Sequence, residues 1–276
     1  MISEFPLFCF TTLAGLAAGA YVVAAVFLVG KESKRAWLFP LVCLVLLGVG
    51  LLGLPMHLGR PERLLTALTH PTAMIAQEAY WSMAFGVVLL IDLVILKTKG
   101  SVPRALRVVG AVFALVLMCV MGNAYFVSLA VPAWASWTTF PLFVLGDLAM
   151  GAAGAAVFDH VIKEHGTKSA AVDGDAESAD VSALRLIKQN AFLNTKMVLA
   201  ALAAVTFVAE AVHFDGIGLS AIPFALAAII AVAGVIATLA GREGKLSENA
   251  AVWLTFVCLF VAVVVARYSF YAAYAL

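Results

Sequence analysis

A short polar stretch, PMHLGRPERLL at 55–65, separates two apolar runs and contains one histidine, two arginines and a glutamate. Glu78 follows His57 by 21 positions and lies inside the next apolar run. If the two runs form antiparallel helices, the two side chains lie at the same end and can approach each other. A carboxylate beside a histidine can take up a proton and pass it on. The spacing therefore predicts a proton relay formed by His57 and Glu78, and the alternative for His57 is an interfacial histidine with a structural hydrogen-bond partner.

Ionisable groups inside apolar spans cost roughly 2.5–3.5 kcal/mol each on insertion scales, so each requires a reason. Glu78 is predicted to be catalytic, because its neighbours from 72 to 96 otherwise suit a membrane span. Asn123, Asp147 and Arg267 are further candidates, either as pocket residues or as structural polar groups. For Asp147 and Arg267 the structural alternative is that each is the counterion of the other.

The polar stretch itself offers more candidates for the site. Arg60 and Arg63 are included because they adjoin the histidine, and the alternative is that they are surface anchors paired with Glu62 or with lipid headgroups. Gly59 is expected to end the preceding helix, and Pro61 suits the first position of a short interfacial helix.

The elements that must position these residues are membrane helices. The chain has 276 residues, of which 64% are hydrophobic and 12% charged, a composition typical of polytopic membrane proteins. The net charge of +1 gives no basis for nucleic-acid binding. Apolar runs of about 20 residues predict membrane helices, and we expect an all-α bundle forming one integral membrane domain over residues 1–276. Eight such spans are predicted, at 6–29, 37–57, 73–96, 104–130, 138–160, 193–213, 219–240 and 248–272.

The distribution of positive charge predicts the orientation of the bundle. The connections after the first, third, fifth and seventh spans, taken with Lys196, hold 14 of the 17 Lys and Arg residues. By the positive-inside rule these connections are cytoplasmic, which places both termini outside and makes 161–190 a cytoplasmic loop. The candidate polar residues then concentrate in the outer half. Several aromatic residues are expected to mark the outer interface: Trp134, Trp137, Tyr268, Tyr271 and Tyr274.

A polar pocket open to one side suits a small amphipathic ligand that arrives through the lipid and exchanges protons with the outer phase. The alternative is a proton-coupled secondary transporter using Glu78, Asp147 and Arg267, which requires polar groups along a path to both sides. The four cysteines lack ligand-like spacing, and the two histidines on the outer side, His57 and His213, end their spans. No iron–sulfur cluster, haem or other metal is therefore expected in this chain.

Two motifs carry a resemblance to a known family. The sequence MHLGRPERLLTAL follows the second span, and AQEAYWS opens the third. With eight spans in this loop order, the chain resembles the membrane-anchor subunits of dimethyl sulfoxide reductase-type enzymes, the DmsC family.

The resemblance implies an integral subunit of the bacterial cytoplasmic (inner) membrane that oxidises menaquinol without haem. It implies an iron–sulfur electron-transfer subunit as partner, and through it a molybdenum-cofactor catalytic subunit. Carried over by motif, His57 belongs to the quinol pocket and Glu78 is its essential acidic residue. The resemblance leaves open the terminal electron acceptor and the direction of electron flow.

Overall fold

The computed structural model describes residues 4–27, 29, 33–167 and 179–275, and within these ranges the regular elements are helices. Eight helical segments there are long and apolar enough to cross a membrane, with α2 and α3 together forming the second. This confirms the predicted all-α bundle of eight spans. The helices are α1 (Phe5–Phe27), α2 (Leu38–Leu51), α3 (Gly53–His57), α4 (Arg63–Leu68), α5 (Met74–Lys99), α6 (Arg104–Phe126), α7 (Thr139–Thr167), α8 (Ala179–Gly216), α9 (Ile222–Arg242) and α10 (Glu248–Ala272).

The second span is interrupted between α2 and α3, and proline explains the break. Pro55 has no backbone N–H, and its ring crowds the carbonyl group four residues earlier, at Leu51. The α-helix accordingly ends at Leu51 and resumes at Gly53. His57, the last residue of α3, lies close to the start of α1, where it contacts Glu4.

The polar stretch after α3 folds as a turn followed by a short helix. Gly59 has a φ of 64°, a left-handed conformation that glycine adopts without steric cost and that ends α3. The predicted interfacial helix is present as α4, although it begins at Arg63 rather than at Pro61. Leu65 on α4 is 71% exposed, as expected for a side chain directed into lipid, whereas Leu68 packs against the core.

Helix α1 forms the centre of the bundle. Within its apolar segment 78% of the residues are buried, against 61% or less for each other described span. Small residues allow its close packing against α7, since a Cβ at Gly15 would overlap the Asp147 carboxylate and one at Gly19 would overlap the Asp147 carbonyl. Such small-residue contacts are a common means of association between membrane helices.

The connection predicted at 161–190 is partly helical. Helix α7 continues to Thr167 and α8 begins at Ala179, while 168–178 lie outside the described residues. The cytoplasmic location of this connection and the outside location of the termini remain predictions from charge.

Candidate functional site

A cavity of about 310 Å³ lies at the end of the bundle where both ends of the described sequence meet. Its volume falls at the lower limit of typical small-molecule sites, so it can enclose a ring system but not a long chain. The cavity wall is formed by the start of α1, the end of α3, the start of α5, the end of α6, the loop 127–138 and Tyr274. Its lining residues are Glu4, Leu7, His57, Leu58, Met74, Ile75, Glu78, Ala124, Tyr125, Ser128, Trp134 and Tyr274.

Glu78 is the most deeply buried acidic residue of this wall. It lies in the second turn of α5 and is 3% exposed. Its Oε1 atom is buried and has no hydrogen-bond partner among the described residues. Buried polar atoms nearly always have a partner, so an unpaired carboxylate oxygen in a cavity wall requires an explanation. It provides an acceptor for the hydroxyl group of a ligand.

His57 lies on the same cavity wall, as the sequence predicted. Its Nδ1 atom is 2.9 Å from Oε2 of Glu4, a residue just before α1 whose side chain is 8% exposed. The His57 side chain is 33% exposed and therefore reaches from the cavity to the surface. Gly53 makes the contact possible, because a Cβ there would overlap the carbonyl oxygen of Pro6 and push α3 away from α1.

Aromatic rings form a second side of the cavity. The rings of Trp134 and Tyr274 stack at 5.6 Å with an interplanar angle of 17°, and Tyr125 meets Trp134 edge-on at 5.2 Å. The indole N–H of Trp134 donates to the carbonyl oxygen of Phe270 at 2.7 Å, which fixes the ring. Flat, rigid rings beside a few polar groups suit an aromatic ligand.

Asp147 and Arg267 lie elsewhere, in the core. Arg267 Nη2 is 2.6 Å from Asp147 Oδ1, and both side chains are fully buried. The guanidinium group also donates to the carbonyl oxygens of Thr11 and Phe143 and lies over the Phe143 ring. Each of the two residues is the counterion of the other, and neither is among the described lining residues of the cavity.

The remaining predicted residues surround the cavity without lining it. Arg60 and Arg63 are exposed on the segment around the start of α4, as is Glu62 between them. The Asn123 amide donates to the sulfur of Met74, a lining residue, at 3.5 Å. The structure thus places His57 and Glu78 on the wall of one cavity and leaves the two arginines exposed. Among the described contacts, the close partner of His57 is Glu4 and not Glu78.

Sequence reasoning missed several lining residues. Glu4 and Tyr125 had no predicted role, and Trp134 and Tyr274 were expected only as interface markers. A usable signal did exist for Glu4, because an acidic residue just before an apolar run lies at the same end of the bundle as Glu78.

A much smaller space, about 10 Å³, is lined by residues of the opposite half of the bundle. The Tyr21 hydroxyl donates there to Asp92 Oδ2 at 3.0 Å, and Arg107 contributes a positive charge. This volume holds about one water molecule and no larger ligand.

Comparison with known proteins agrees with the resemblance in the two motifs. The family model described as DMSO reductase anchor subunit (DmsC) matches residues 1–273. The C subunit of the anaerobic dimethyl sulfoxide reductase of Haemophilus influenzae is 28% identical over 168 residues. That match covers 53% of this protein and 57% of the relative, so it spans little more than half of the length of the Haemophilus protein.

Proposed function

The chain belongs to the family of dimethyl sulfoxide reductase anchor subunits, and on this premise we propose that its cavity is a quinol-oxidising site. The quinol is menaquinol, as the family resemblance implies. Its ring lies against the aromatic wall, and one hydroxyl hydrogen-bonds to Glu78 or His57. The observation that carries the proposal is the buried, unpaired Oε1 of Glu78 in the cavity wall.

The chemistry follows from the groups that line the cavity. A quinol loses two protons and two electrons when it becomes a quinone. Glu78 accepts a proton as a general base and passes it toward the outer phase. The electrons leave one at a time to an iron–sulfur cluster in a partner subunit docked on the outer face, and from there reach a molybdenum-cofactor subunit.

The surface beside the cavity has exposed apolar side chains, which favour entry of a quinol from the lipid. Met56 and Leu65, on either side of the turn at Gly59, are 65% and 71% exposed. An apolar surface beside a polar pocket suits a ligand with an apolar tail and a polar ring. We propose lateral entry of the quinol from the outer leaflet past this segment.

The test is Glu78→Gln in the assembled complex, with Glu62→Gln as matched control at an exposed position. Quinol-dependent substrate reduction is divided by the rate supported by an artificial one-electron donor that reduces the partner subunits directly. We expect the ratio to fall about 10²- to 10⁴-fold, the usual contribution of a general base. A ratio within about twofold of the control would remove Glu78 as proton acceptor.

The transporter alternative predicts different behaviour. It requires activity from the protein alone in vesicles, whereas an anchor subunit must co-purify with iron–sulfur and molybdenum proteins. The pairing of Asp147 with Arg267 gives the transporter no support, because both residues lie outside the cavity.

A further inference from the structure

The contact between Glu4 and His57 is a second acid–base feature of the cavity. It joins a residue before α1 to the last residue of α3, at 2.9 Å between Glu4 Oε2 and His57 Nδ1. Both residues line the cavity that also contains Glu78. Glu4 is 6% exposed, although a carboxylate just before the first helix of a bundle has ample opportunity to reach water. Its burial against a histidine therefore requires a reason.

Quinol oxidation releases two protons, and Glu78 presents one buried unpaired oxygen. The second hydroxyl of a bound quinol needs an acceptor of its own. Besides the tyrosines, the other described lining side chains that can exchange a proton are Glu4 and His57. His57 is the better exchanger of the two, since an imidazole can hold a proton on one nitrogen while the other accepts one, and its side chain is 33% exposed against 8% for Glu4.

The geometry of the pair determines which ring nitrogen is available. The partner of one imidazole nitrogen determines where the proton of the neutral ring resides. Oε2 of Glu4 lies at ion-pair distance from Nδ1 but makes no hydrogen bond of good geometry in the described structure, so it acts on the ring through its charge. A negative charge 2.9 Å from Nδ1 favours the proton on that nitrogen and leaves the lone pair on Nε2. The same carboxylate stabilises the positive charge that forms when Nε2 takes a proton.

We propose that Glu4 is a positioning residue that holds His57 with Nδ1 protonated, so that His57 Nε2 accepts one of the two protons of the quinol. This rests on the proposed quinol-oxidising function. One quinol O–H bond breaks as an O–H bond forms on Glu78, and the other breaks as an N–H bond forms on His57. The two electrons go singly to the partner's iron–sulfur cluster, and His57 then releases its proton to water.

The decisive variant is Glu4→Gln, which keeps the size of the side chain and an oxygen that can accept from Nδ1 but removes the charge. We expect kcat for quinol oxidation by the assembled complex to fall about 10- to 100-fold, as for other residues that orient an active group. KM should change little, because the interaction matters when charge develops and not when the quinol binds. Glu62→Gln, an exposed carboxylate on the neighbouring segment, is the matched control.

A double-mutant cycle separates this role from a structural one. His57→Gln should lower kcat at least as much as Glu4→Gln, and adding Glu4→Gln to it should have no further effect. All rates are divided by the artificial-donor rate of the same preparation, which corrects for incomplete assembly. If Glu4→Gln does not assemble, Glu4→Asp replaces it, with an expected kcat between those of wild type and His57→Gln.

The outcomes also distinguish this inference from the function on which it rests. Loss of quinol turnover in Glu78→Gln, with Glu4→Gln at the wild-type kcat, would overturn the role of Glu4 and leave the quinol site in place. A rise in KM alone, or an equal loss with and without His57, would reduce Glu4 to a structural residue. Absence of quinol oxidation by the wild-type complex would instead refute the proposed function.

Discussion

Replacing either partner of the buried Asp147–Arg267 ion pair should destabilise the protein, and the two replacements should differ in cost. Removing one partner of a buried ion pair costs about 3–5 kcal/mol, because the other charge is left uncompensated. That is a large part of the roughly 5–15 kcal/mol by which folded proteins are stable. We therefore expect Asp147→Asn and Arg267→Met each to destabilise the protein strongly.

The two variants should differ, since their residual contacts differ. After Asp147→Asn, the guanidinium group keeps the carbonyl oxygens of Thr11 and Phe143 as acceptors and the Phe143 ring at 4.6 Å. After Arg267→Met, the carboxylate loses its counterion but can become neutral by taking up a proton, whereas the guanidinium group left by Asp147→Asn stays charged. Because the retained carbonyl contacts do not neutralise the guanidinium charge, Asp147→Asn should lie at the upper end of the range of about 3–5 kcal/mol and Arg267→Met at the lower end.

The double variant Asp147→Asn/Arg267→Met contains no buried charge at this position. Its cost should be smaller than the sum of the two single costs by at least about 1 kcal/mol. Asn is the appropriate replacement, because Gly15 packs directly against the carboxylate and leaves no room for a larger side chain. The free energy of unfolding can be measured in mixed micelles by titration with a denaturing detergent, following helical circular dichroism.

Two results would refute this reasoning. Single variants within about 1 kcal/mol of wild type would mean that the charges are compensated in another way, and a larger cost for Arg267→Met would contradict the predicted order. The assembled double variant should also keep the quinol turnover of wild type, because neither residue lines the cavity. The transporter alternative, which uses both residues, predicts loss of function instead.

Two further predictions concern packing and orientation. Gly19→Ala should lower the free energy of unfolding by about 1–3 kcal/mol, because the new methyl group overlaps the Asp147 carbonyl. Gly48→Ala, with open space around it, should be neutral or stabilise by up to about 1 kcal/mol. Equal unfolding free energies for the two variants would contradict the close contact between α1 and α7. Ser220 and Ser101 are exposed in connections that the charge distribution places outside and in the cytoplasm, respectively. In a cysteine-free background, Ser220→Cys should react with an impermeant maleimide in intact spheroplasts, and Ser101→Cys should react only after permeabilisation. The reverse labelling pattern would contradict the predicted orientation.

The spans could be predicted from sequence because their length is set by the thickness of the membrane. All eight predicted runs correspond to helices, and most of their ends differ by a few residues. The exceptions are α7, which continues to Thr167 beyond the predicted 160, and α8, which begins at Ala179 before the predicted 193. The break in the second span was not predicted, although Pro55 could have indicated it, because a proline ring clashes with the carbonyl group four residues earlier, here that of Leu51. The end of α3 at Gly59 and the helix α4 were anticipated, because turn residues act locally.

The site was predictable where two residues occur in neighbouring spans. His57 and Glu78 lie on either side of one connection, so antiparallel packing was enough to place them together. The pairing of Asp147 with Arg267 was left open, because it joins α7 to α10 across 120 positions of sequence. Only the packing of those helices around α1 brings the two charges together.

The cavity itself depends on a property of the whole bundle. Because the number of antiparallel spans is even, the start of the first span and the end of the last span lie at the same end of the bundle. Glu4 and Tyr274 therefore both line the cavity, although the motif residues that line it lie between 55 and 82. A motif contains residues that are close in sequence, whereas this wall is formed by residues near the second and fourth connections and near both ends of the described sequence. The contact of Glu4 with His57 depends in turn on Gly53, where a missing side chain lets two helices touch. The acid that orients the histidine is therefore supplied from outside the motif that contains the histidine, and the shape of the bundle determines the chemistry of the pair.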